Sequence, residues 1–231
     1  MLEKIKAAYL ITILIFIFSA IAVGADKVND PDPLRFKKEI ETFKKWDAKN
    51  SFPENAILFV GSSSIRKWKT HKGFPEFPVI NRGFGGAHIS DVLYFYNDVI
   101  KKYKSPIIVF YAGDNDIAAD KTIEQVKNDY IKLVDKIKAD NPEVKLIYIP
   151  IKPSISRWQY WDKMNRVNMQ IKKYNENDKN LYYIDLAAPL LDKSGNPKKD
   201  VFISDGLHLN KKGYALWEKL LLPMLDDLYK K

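Results

Sequence analysis

Three consecutive serines and a distant Asp-x-x-His pair are the side chains of this sequence that could do chemistry together. The serines occupy positions 62–64, directly after an apolar run at 56–60, whereas Asp205 and His208 lie near the other end of the chain. A serine hydroxyl is a weak nucleophile unless a base takes its proton and a third group orients that base. The three residue types would therefore support acyl transfer through an acyl-serine, if the fold brings them into contact.

Each of these residues also has a purely structural interpretation. Serines after a strand often cap a helix, Asp205 could cap the last helix, and His208 could be a polar loop residue. Asn115 lies between Asp114 and Asp116, which could suggest a cation site. That segment lacks the later glycine and glutamate of a calcium loop, so we predict neither a metal nor a cofactor.

Five apolar segments have the length of strands and alternate with helical patterns. Their residues are apolar throughout, which is typical of a parallel sheet covered by helices on both faces. The sequence therefore predicts an α/β fold, a three-layer sandwich with a central five-stranded parallel sheet. Ligand sites in such sheets lie beyond the carboxyl ends of the strands, where the serines are located. The predicted strands are 56–60, 77–81, 107–111, 144–149 and 181–184.

Helices are predicted before, between and after these strands. A leading helix starts near Pro33, a short one opens at 65–68, and others cover 92–100, 126–137, 161–174 and 214–228. Trp161 is in helical register with apolar neighbours and is predicted to pack in the core. The apolar face of the leading helix would consist of Leu34, Phe36, Ile40, Phe43 and Trp46.

The amino-terminal segment is typical of a secretory signal peptide. Lys4 and Lys6 precede the apolar stretch 10–23, and small residues at 23–25 offer a cleavage site. We therefore expect residues 1–25 to be removed, the domain to span 26–231, and the protein to be exported to the periplasm or the outside of the cell. The alternative is an uncleaved membrane tether, since 7–25 carries no charge over nearly the length that crosses a bilayer.

The composition argues against two classes of function. The formal charge is +9, but the basic residues are 33 lysines and only 5 arginines, scattered along predicted helix faces. Nucleic-acid recognition favours clustered arginine with stacking aromatic residues, so no nucleic-acid partner is expected. There is no cysteine, which excludes disulfides and thiol chemistry.

Known serine and nucleotide motifs can be compared with the serine turn and the glycine segment. Ile65 stands where the nucleophile elbow Gly-x-Ser-x-Gly requires its second glycine, and His88 replaces the third glycine of a dinucleotide loop. The chain instead resembles the SGNH (GDSL-like) hydrolases, and in particular the platelet-activating-factor-acetylhydrolase-like esterases, from about residue 55 to 210. Four motifs in the family's order carry the resemblance: Gly61-Ser62-Ser63, Asn81-Arg-Gly-Phe-Gly-Gly86, Gly113-Asp114-Asn115-Asp116 and Asp205-Gly-Leu-His208.

The resemblance implies a role for each matching residue. Ser63 would be the nucleophile, although Ser62 stands where the family usually has aspartate. His208 would be the base and Asp205 its orienting acid. The oxyanion would be bound by the Ser63 and Gly86 backbone amides and the Asn115 side chain. The implied fold is the SGNH, flavodoxin-like sandwich.

The resulting prediction is an esterase that cleaves small O-acyl esters, with acetyl esters favoured, on a small-molecule, lipid or carbohydrate alcohol. Arg157 and Trp158 follow a predicted strand and are candidate substrate contacts. Two alternatives remain open. The acyl group could be transferred to a carbohydrate hydroxyl, or the same fold could be a non-catalytic glycan-binding module.

Overall fold

A computed structural model of the chain describes residues 30–230. The expected signal peptide or membrane tether lies outside the described residues. Within 30–230, no helix combines the length and the apolar character that crossing a bilayer requires.

The centre of the fold is a parallel sheet of five strands in the order β2-β1-β3-β4-β5. From β1 the chain goes to the edge strand β2, and then returns to pair β3 on the other side of β1. The point where the order reverses therefore lies at the carboxyl end of β1, which is where ligands bind in such sheets. The strands are β1 Ile57–Gly61, β2 Val79–Gly83, β3 Ile107–Tyr111, β4 Lys145–Tyr148 and β5 Leu181–Tyr183.

Helices cover both faces of this sheet and complete the predicted three-layer sandwich. Strand side chains alternate between the layers: Leu58 and Val60 pack against one set of helices, Ile57 and Phe59 against the other. The first layer holds α1 Lys37–Asp47, α4 Ile89–Tyr94, α5 Tyr96–Val99, α6 Asp114–Ala118, α7 Ile123–Asp140 and α8 Trp161–Asn175; the second holds α2 Ser63–Lys67, α3 Thr70–Gly73 and α9 Lys211–Tyr229.

Several local predictions differ from the structure. Strand β2 begins two residues later than expected, because the Phe77 amide donates to the Phe74 carbonyl in the turn after α3 and Pro78 has no N–H. The predicted helix at 92–100 is two short helices that meet at Phe95. In the leading segment, Leu34 lies in a 3₁₀ turn, Pro33–Phe36, ahead of α1 and is 53% exposed, and Trp46 near the end of α1 is 64% exposed.

The core contact of the leading segment is instead made by Phe36 and Ile40, with Phe43 packed beside them. These three residues recur at a spacing of three to four, so they already form one helix face. Trp161, predicted in the core, is only half-buried at the start of α8.

Candidate active site

The serine turn is held tightly against the neighbouring strand. Gly61 has φ +135°, and a Cβ at that position would lie 1.9 Å from the Tyr111 carbonyl oxygen. The Ser62 amide donates to that same carbonyl, at 2.9 Å. Helix α2 starts at Ser63, two residues earlier than predicted, so the nucleophile candidate lies in its first turn.

The structure brings Ser63 and His208 together across 145 residues of sequence. The His208 Nε2 atom lies 2.9 Å from Ser63 Oγ, and Nδ1 lies 2.6 Å from Asp205 Oδ2. A proton on Nδ1 can be donated to the carboxylate, which leaves Nε2 free to accept the serine proton. The three side chains therefore have the arrangement of a nucleophile, a base and an orienting acid.

Asp205 and His208 are part of one compact turn. Asp205 Oδ1 accepts the backbone amides of Leu207 and His208, at 2.8 and 2.9 Å. The Ile203 amide donates to the His208 carbonyl and closes the turn. Partial burial raises the pKa of Asp205, but the hydrogen bonds from the His208 ring and from these two amides outweigh it and lower the pKa to about 2. Asp205 is therefore a carboxylate at any pH near neutrality.

The two other oxyanion candidates, Gly86 in a turn and Asn115 at the start of α6, lie on segments that contact each other. Gly86 has φ +82°, a conformation that favours glycine, and apart from its chain neighbours no atom of residues 30–230 lies within 4 Å of where its Cβ would be. Asn115 lies in α6, directly after β3, and its Nδ2 donates to the Ala87 carbonyl at 3.0 Å. The glycine segment and the Gly-x-Asn-Asp segment therefore meet at the same edge of the sheet.

Arg157 binds Asn115 from the opposite side. Its Nη2 donates to Asn115 Oδ1 at 2.9 Å, and its Nη1 lies 3.0 Å from Asp114 Oδ2. The amide of Asn115 is thus held at both ends, with its oxygen toward the guanidinium and its nitrogen toward Ala87. Nδ2 carries two hydrogens, so one remains for a further acceptor.

A buried lysine completes this charged group beneath the site. Lys152 is 1% exposed, its Nζ lies 3.9 Å from Asp114 Oδ2, and it donates to the Tyr111 hydroxyl at 3.4 Å. Burial lowers the pKa of Lys152, and the nearby carboxylate of Asp114 opposes that effect. Asp114, at 2% exposed, thus has two cations as neighbours. The contact between Arg157 and Asn115 joins residues 42 positions apart, and no sequence motif indicates it.

The remaining predicted site residue, Trp158, is half-buried and stacks on Trp161 at 6.1 Å between ring centroids. It lines a cavity of about 460 Å³ together with Ile155 and Lys199. Ile155 also lies beside Gly206 in the Asp205–His208 turn. Trp158 is therefore near the turn that carries the candidate base, whereas Arg157 faces Asn115.

The carboxylates that flank Asn115 are both bound to cations of the chain itself. Asp114 pairs with Arg157, and Asp116 lies 3.1 Å from Lys121 while it accepts the Ile89 amide. Within residues 30–230, no group of three His, Cys, Asp or Glu side chains is arranged to hold a metal ion.

Solved structures with a similar fold come from several organisms. A protein provisionally assigned as a platelet activating factor from Streptococcus pneumonia has a TM-score of 0.74 at 23% identity, with 83% of this chain and 94% of that one covered. A GDSL-like lipase from Bacteroides thetaiotaomicron has a TM-score of 0.68 at 19% identity, covering 85% and 98%. A carbohydrate esterase of family 3 from Talaromyces cellulolyticus has a TM-score of 0.61 at 18% identity, covering 76% and 98%. At these identities the likeness shows the fold.

A curated relative is similar over part of its length. It is the N-acylneuraminate cytidylyltransferase of Escherichia coli, 27% identical over 169 residues, which are 70% of this chain and 38% of that protein. The chain therefore spans little more than a third of this relative.

The family comparison covers most of the domain. Residues 66–216 match the GDSL-like lipase/acylhydrolase family, a range that includes the glycine segment, Asn115, Asp205 and His208 and begins just after Ser63. With the parallel sheet described above, this match shows that the chain belongs to the GDSL-like lipase/acylhydrolase family.

Proposed function

We propose that the chain is a serine esterase that cleaves small O-acyl esters, acetyl esters above all, through an acyl intermediate on Ser63. The observation that carries this proposal is the 2.9 Å distance between Ser63 Oγ and His208 Nε2. The neighbouring serines are poorer candidates, since Ser62 and Ser64 are both 0% exposed whereas Ser63 is 7% exposed.

The reaction would proceed in two steps of acyl transfer. In the first, Ser63 Oγ attacks the ester carbonyl carbon as its proton moves to His208 Nε2. The resulting tetrahedral intermediate collapses, the bond to the alcohol oxygen breaks, and that oxygen takes the proton from His208. In the second, a water gives a proton to His208 and its oxygen attacks the acyl-serine, which releases the carboxylic acid and restores the Ser63 hydroxyl. Asp205 would hold the imidazole in the required tautomer throughout.

The charge that develops on the carbonyl oxygen needs hydrogen-bond donors. The backbone amides of Ser63 and Gly86 and the second Nδ2 hydrogen of Asn115 are the proposed donors. Each such donor typically contributes about 3 kcal/mol of transition-state stabilisation. Fixed orientation of the Asn115 amide by Arg157 and Ala87 supports this assignment, because a donor that needs no reorganisation stabilises the transition state best.

The test is hydrolysis of p-nitrophenyl acetate by Ser63→Ala and His208→Ala. Both variants should lose activity to near background with little change in melting temperature, and a fluorophosphonate probe should label Ser63 in the wild type only. Ser62→Ala is the matched control, because the Ser62 hydroxyl has no hydrogen-bond partner within the described residues and its loss should leave activity intact. Full activity in Ser63→Ala would refute the proposal.

Two other outcomes are distinguishable in the same preparation. Acyl transfer would appear as an acylated sugar when a carbohydrate acceptor is present, and a glycan-binding module would retain glycan without fluorophosphonate labelling. Export with removal of residues 1–25 is a separate proposal, supported by the Lys4, Lys6 and apolar 10–23 pattern. Sequencing the amino terminus of the protein recovered from its native compartment tests that proposal.

A further inference from the structure

A second cavity lies between the serine helix and the last helix. Its volume is about 610 Å³, and we call it the lysine groove. It extends between α2–α3 on one side and the start of α9 on the other. Its lining residues are Lys67, Trp68, Lys69, Lys72, Gly73, Ile203, Leu209, Asn210, Lys211, Tyr214, Ala215 and Glu218.

The groove has an apolar floor beneath a cationic rim. Trp68, Leu209 and Tyr214 are at most 8% exposed and form the floor, while Ile203 at the edge is 41% exposed. The rim carries four exposed lysines, three on the α2–α3 side and one at the start of α9. A ligand in the groove would therefore meet apolar carbon below and positive charge on both sides.

These rim lysines lack the ion pairs that nine other lysines within residues 30–230 make with carboxylates. Elsewhere many ammonium groups are paired with carboxylates, for example Lys101 with Asp140 and, immediately beside the groove, Lys212 with Asp200. Among residues 30–230, no carboxylate lies within ion-pair distance of the rim lysines 67, 69, 72 and 211. The positive charge of the rim is thus not neutralised by the protein.

The single carboxylate among the lining residues, Glu218, is bound to the floor of the groove and not to the rim lysines. Glu218 Oε1 accepts the indole N–H of Trp68 at 2.9 Å, and the rest of its side chain lies against Gly73. Its negative charge therefore offsets only a quarter of the formal charge of the four lysines, and a net positive groove remains.

The groove is adjacent to the proposed nucleophile and base. Lys67 lies one helical turn after Ser63 in α2, and Leu209 and Asn210 follow His208 directly. A chain-like molecule whose ester group is held at Ser63 would therefore have the groove about one helical turn away along α2.

We propose that the lysine groove binds the anionic backbone of the ester substrate, and that this substrate is an acidic polysaccharide that carries O-acyl groups. This inference rests on the proposed esterase function. Several carboxylates spaced along a polymer match charges spread over two elements of the fold, whereas a single anionic group would match only one side of the rim. The apolar floor would contact the C–H faces of the sugar rings.

The test compares two acetylated polymers that differ in charge, acetylated polygalacturonate and acetylated xylan. The ratio of kcat/KM on the acidic polymer to that on the neutral one is measured for the wild type and for Lys69→Glu/Lys72→Glu. The double variant should lower this ratio about tenfold, because it replaces two exposed attractions with repulsions. In the wild type, the ratio should also fall as NaCl rises from about 0.02 M to about 0.5 M, since salt screens exposed charges.

The matched control is Lys45→Glu/Lys49→Glu. These two lysines are exposed and lie outside the groove, and the change in net charge is the same. The control should keep the wild-type ratio. If the kcat/KM ratio fell equally in both double variants, or in neither, the proposed binding of an acidic polymer in the lysine groove would be refuted. The esterase function would still stand in that case, provided that the wild type hydrolyses p-nitrophenyl acetate. Absence of that hydrolysis would instead refute the esterase function itself.

Discussion

Replacing Arg157 with methionine should reduce turnover through Asn115, because the guanidinium is the only side-chain contact that the described residues give to Asn115 Oδ1. Methionine keeps much of the length and apolar character of the arginine stem and removes both of its charged contacts. The amide of Asn115 would keep its bond to the Ala87 carbonyl and lose the restraint at the other end. It could then rotate away from the position that the oxyanion requires.

The size of the effect follows from what each contact contributes. Complete loss of an oxyanion donor, as in Asn115→Ala, is expected to lower kcat about 10²- to 10³-fold. A hydrogen bond from a charged group contributes about 1.5–3 kcal/mol. Because one of the two anchors of the amide remains, we expect Arg157→Met to lower kcat about 10- to 100-fold with KM little changed.

Arg157→Met should also destabilise the fold, since it leaves the carboxylate of Asp114 without its 3.0 Å partner in a 2% exposed position. Breaking a buried pair costs about 3–5 kcal/mol, and Lys152 at 3.9 Å should keep the loss near the lower end. Arg157→Lys serves as the companion variant. It retains the positive charge beside Asp114 and removes the two-pronged contact, so it should lose kcat with a smaller loss of stability.

The assay is steady-state hydrolysis of p-nitrophenyl acetate, with and without added guanidinium. The variants compared are Arg157→Met, Arg157→Lys, Asn115→Ala and the double variant Arg157→Met/Asn115→Ala. If Arg157 acts through Asn115, the double variant should be no slower than Asn115→Ala, and guanidinium should restore part of the rate in Arg157→Met only. A rise in KM at constant kcat would refute this reasoning, because it would identify Arg157 as a direct substrate contact. Additive effects in the double variant would refute it as well.

Two further predictions concern the acid and the glycines. Asp205→Asn should lower kcat about 10³-fold or more through the wrong imidazole tautomer. Folding lowers the pKa of Asp205 from its ordinary 3.8 to about 2, so its carboxylate stabilises the fold above about pH 4 and this stabilisation is lost as the pH falls toward 2. Urea unfolding should therefore show that the difference in unfolding free energy between the wild type and Asp205→Asn disappears over that range. A difference that is unchanged at pH 2 would contradict the assignment. Gly61→Ala should lower the free energy of unfolding by about 4 kcal/mol or more, because the added Cβ would lie 1.9 Å from the Tyr111 carbonyl oxygen. Gly86→Ala should lower it by only about 1–2 kcal/mol, the cost of backbone strain at a positive φ. Equal melting temperatures for these two variants would contradict that order.

The sheet was predictable from local sequence where a strand is buried on both sides. The run 107–111 is apolar throughout and forms β3 with the predicted bounds. Strand β2, at the edge, is half-buried at three of its five positions, so its apolar signal is weak and its start was misplaced by two residues. Leu34 and Trp46 belong to the predicted apolar face of the leading segment but are exposed, because helical spacing identifies a face and not how much of it neighbouring elements cover.

Within the candidate site, predictability depends on sequence distance. Asp205 and His208 are three residues apart and one turn holds them both, so their spacing favours the contact that the resemblance of Asp205-Gly-Leu-His208 implies. The contact between Arg157 and Asn115 depends on how helix α6, after β3, and the loop after β4 converge, which no short pattern encodes. Burial of Lys152 likewise depends on Asp114, a partner supplied by helix α6 after β3.

Ser62 stands where related motifs have aspartate. Other contacts could therefore be needed to hold the nucleophile Ser63 in place. The Ser62 side chain caps no amide and its hydroxyl has no partner within the described residues, so it does not position the turn. Backbone contacts do so instead. The Tyr111 carbonyl accepts the Ser62 amide and contacts Gly61, and the Tyr214 hydroxyl donates to the Ser64 carbonyl at 2.8 Å.

These contacts join the serine turn to β3 and to α9, the helix that begins just after His208. The base and the nucleophile are therefore held by contacts with the sheet and with the helix layer of α2 and α9, and the buried Ser62 hydroxyl can be removed without moving Ser63 relative to His208. Activity should accordingly be far more sensitive to the backbone at Gly61 than to the side chain at Ser62.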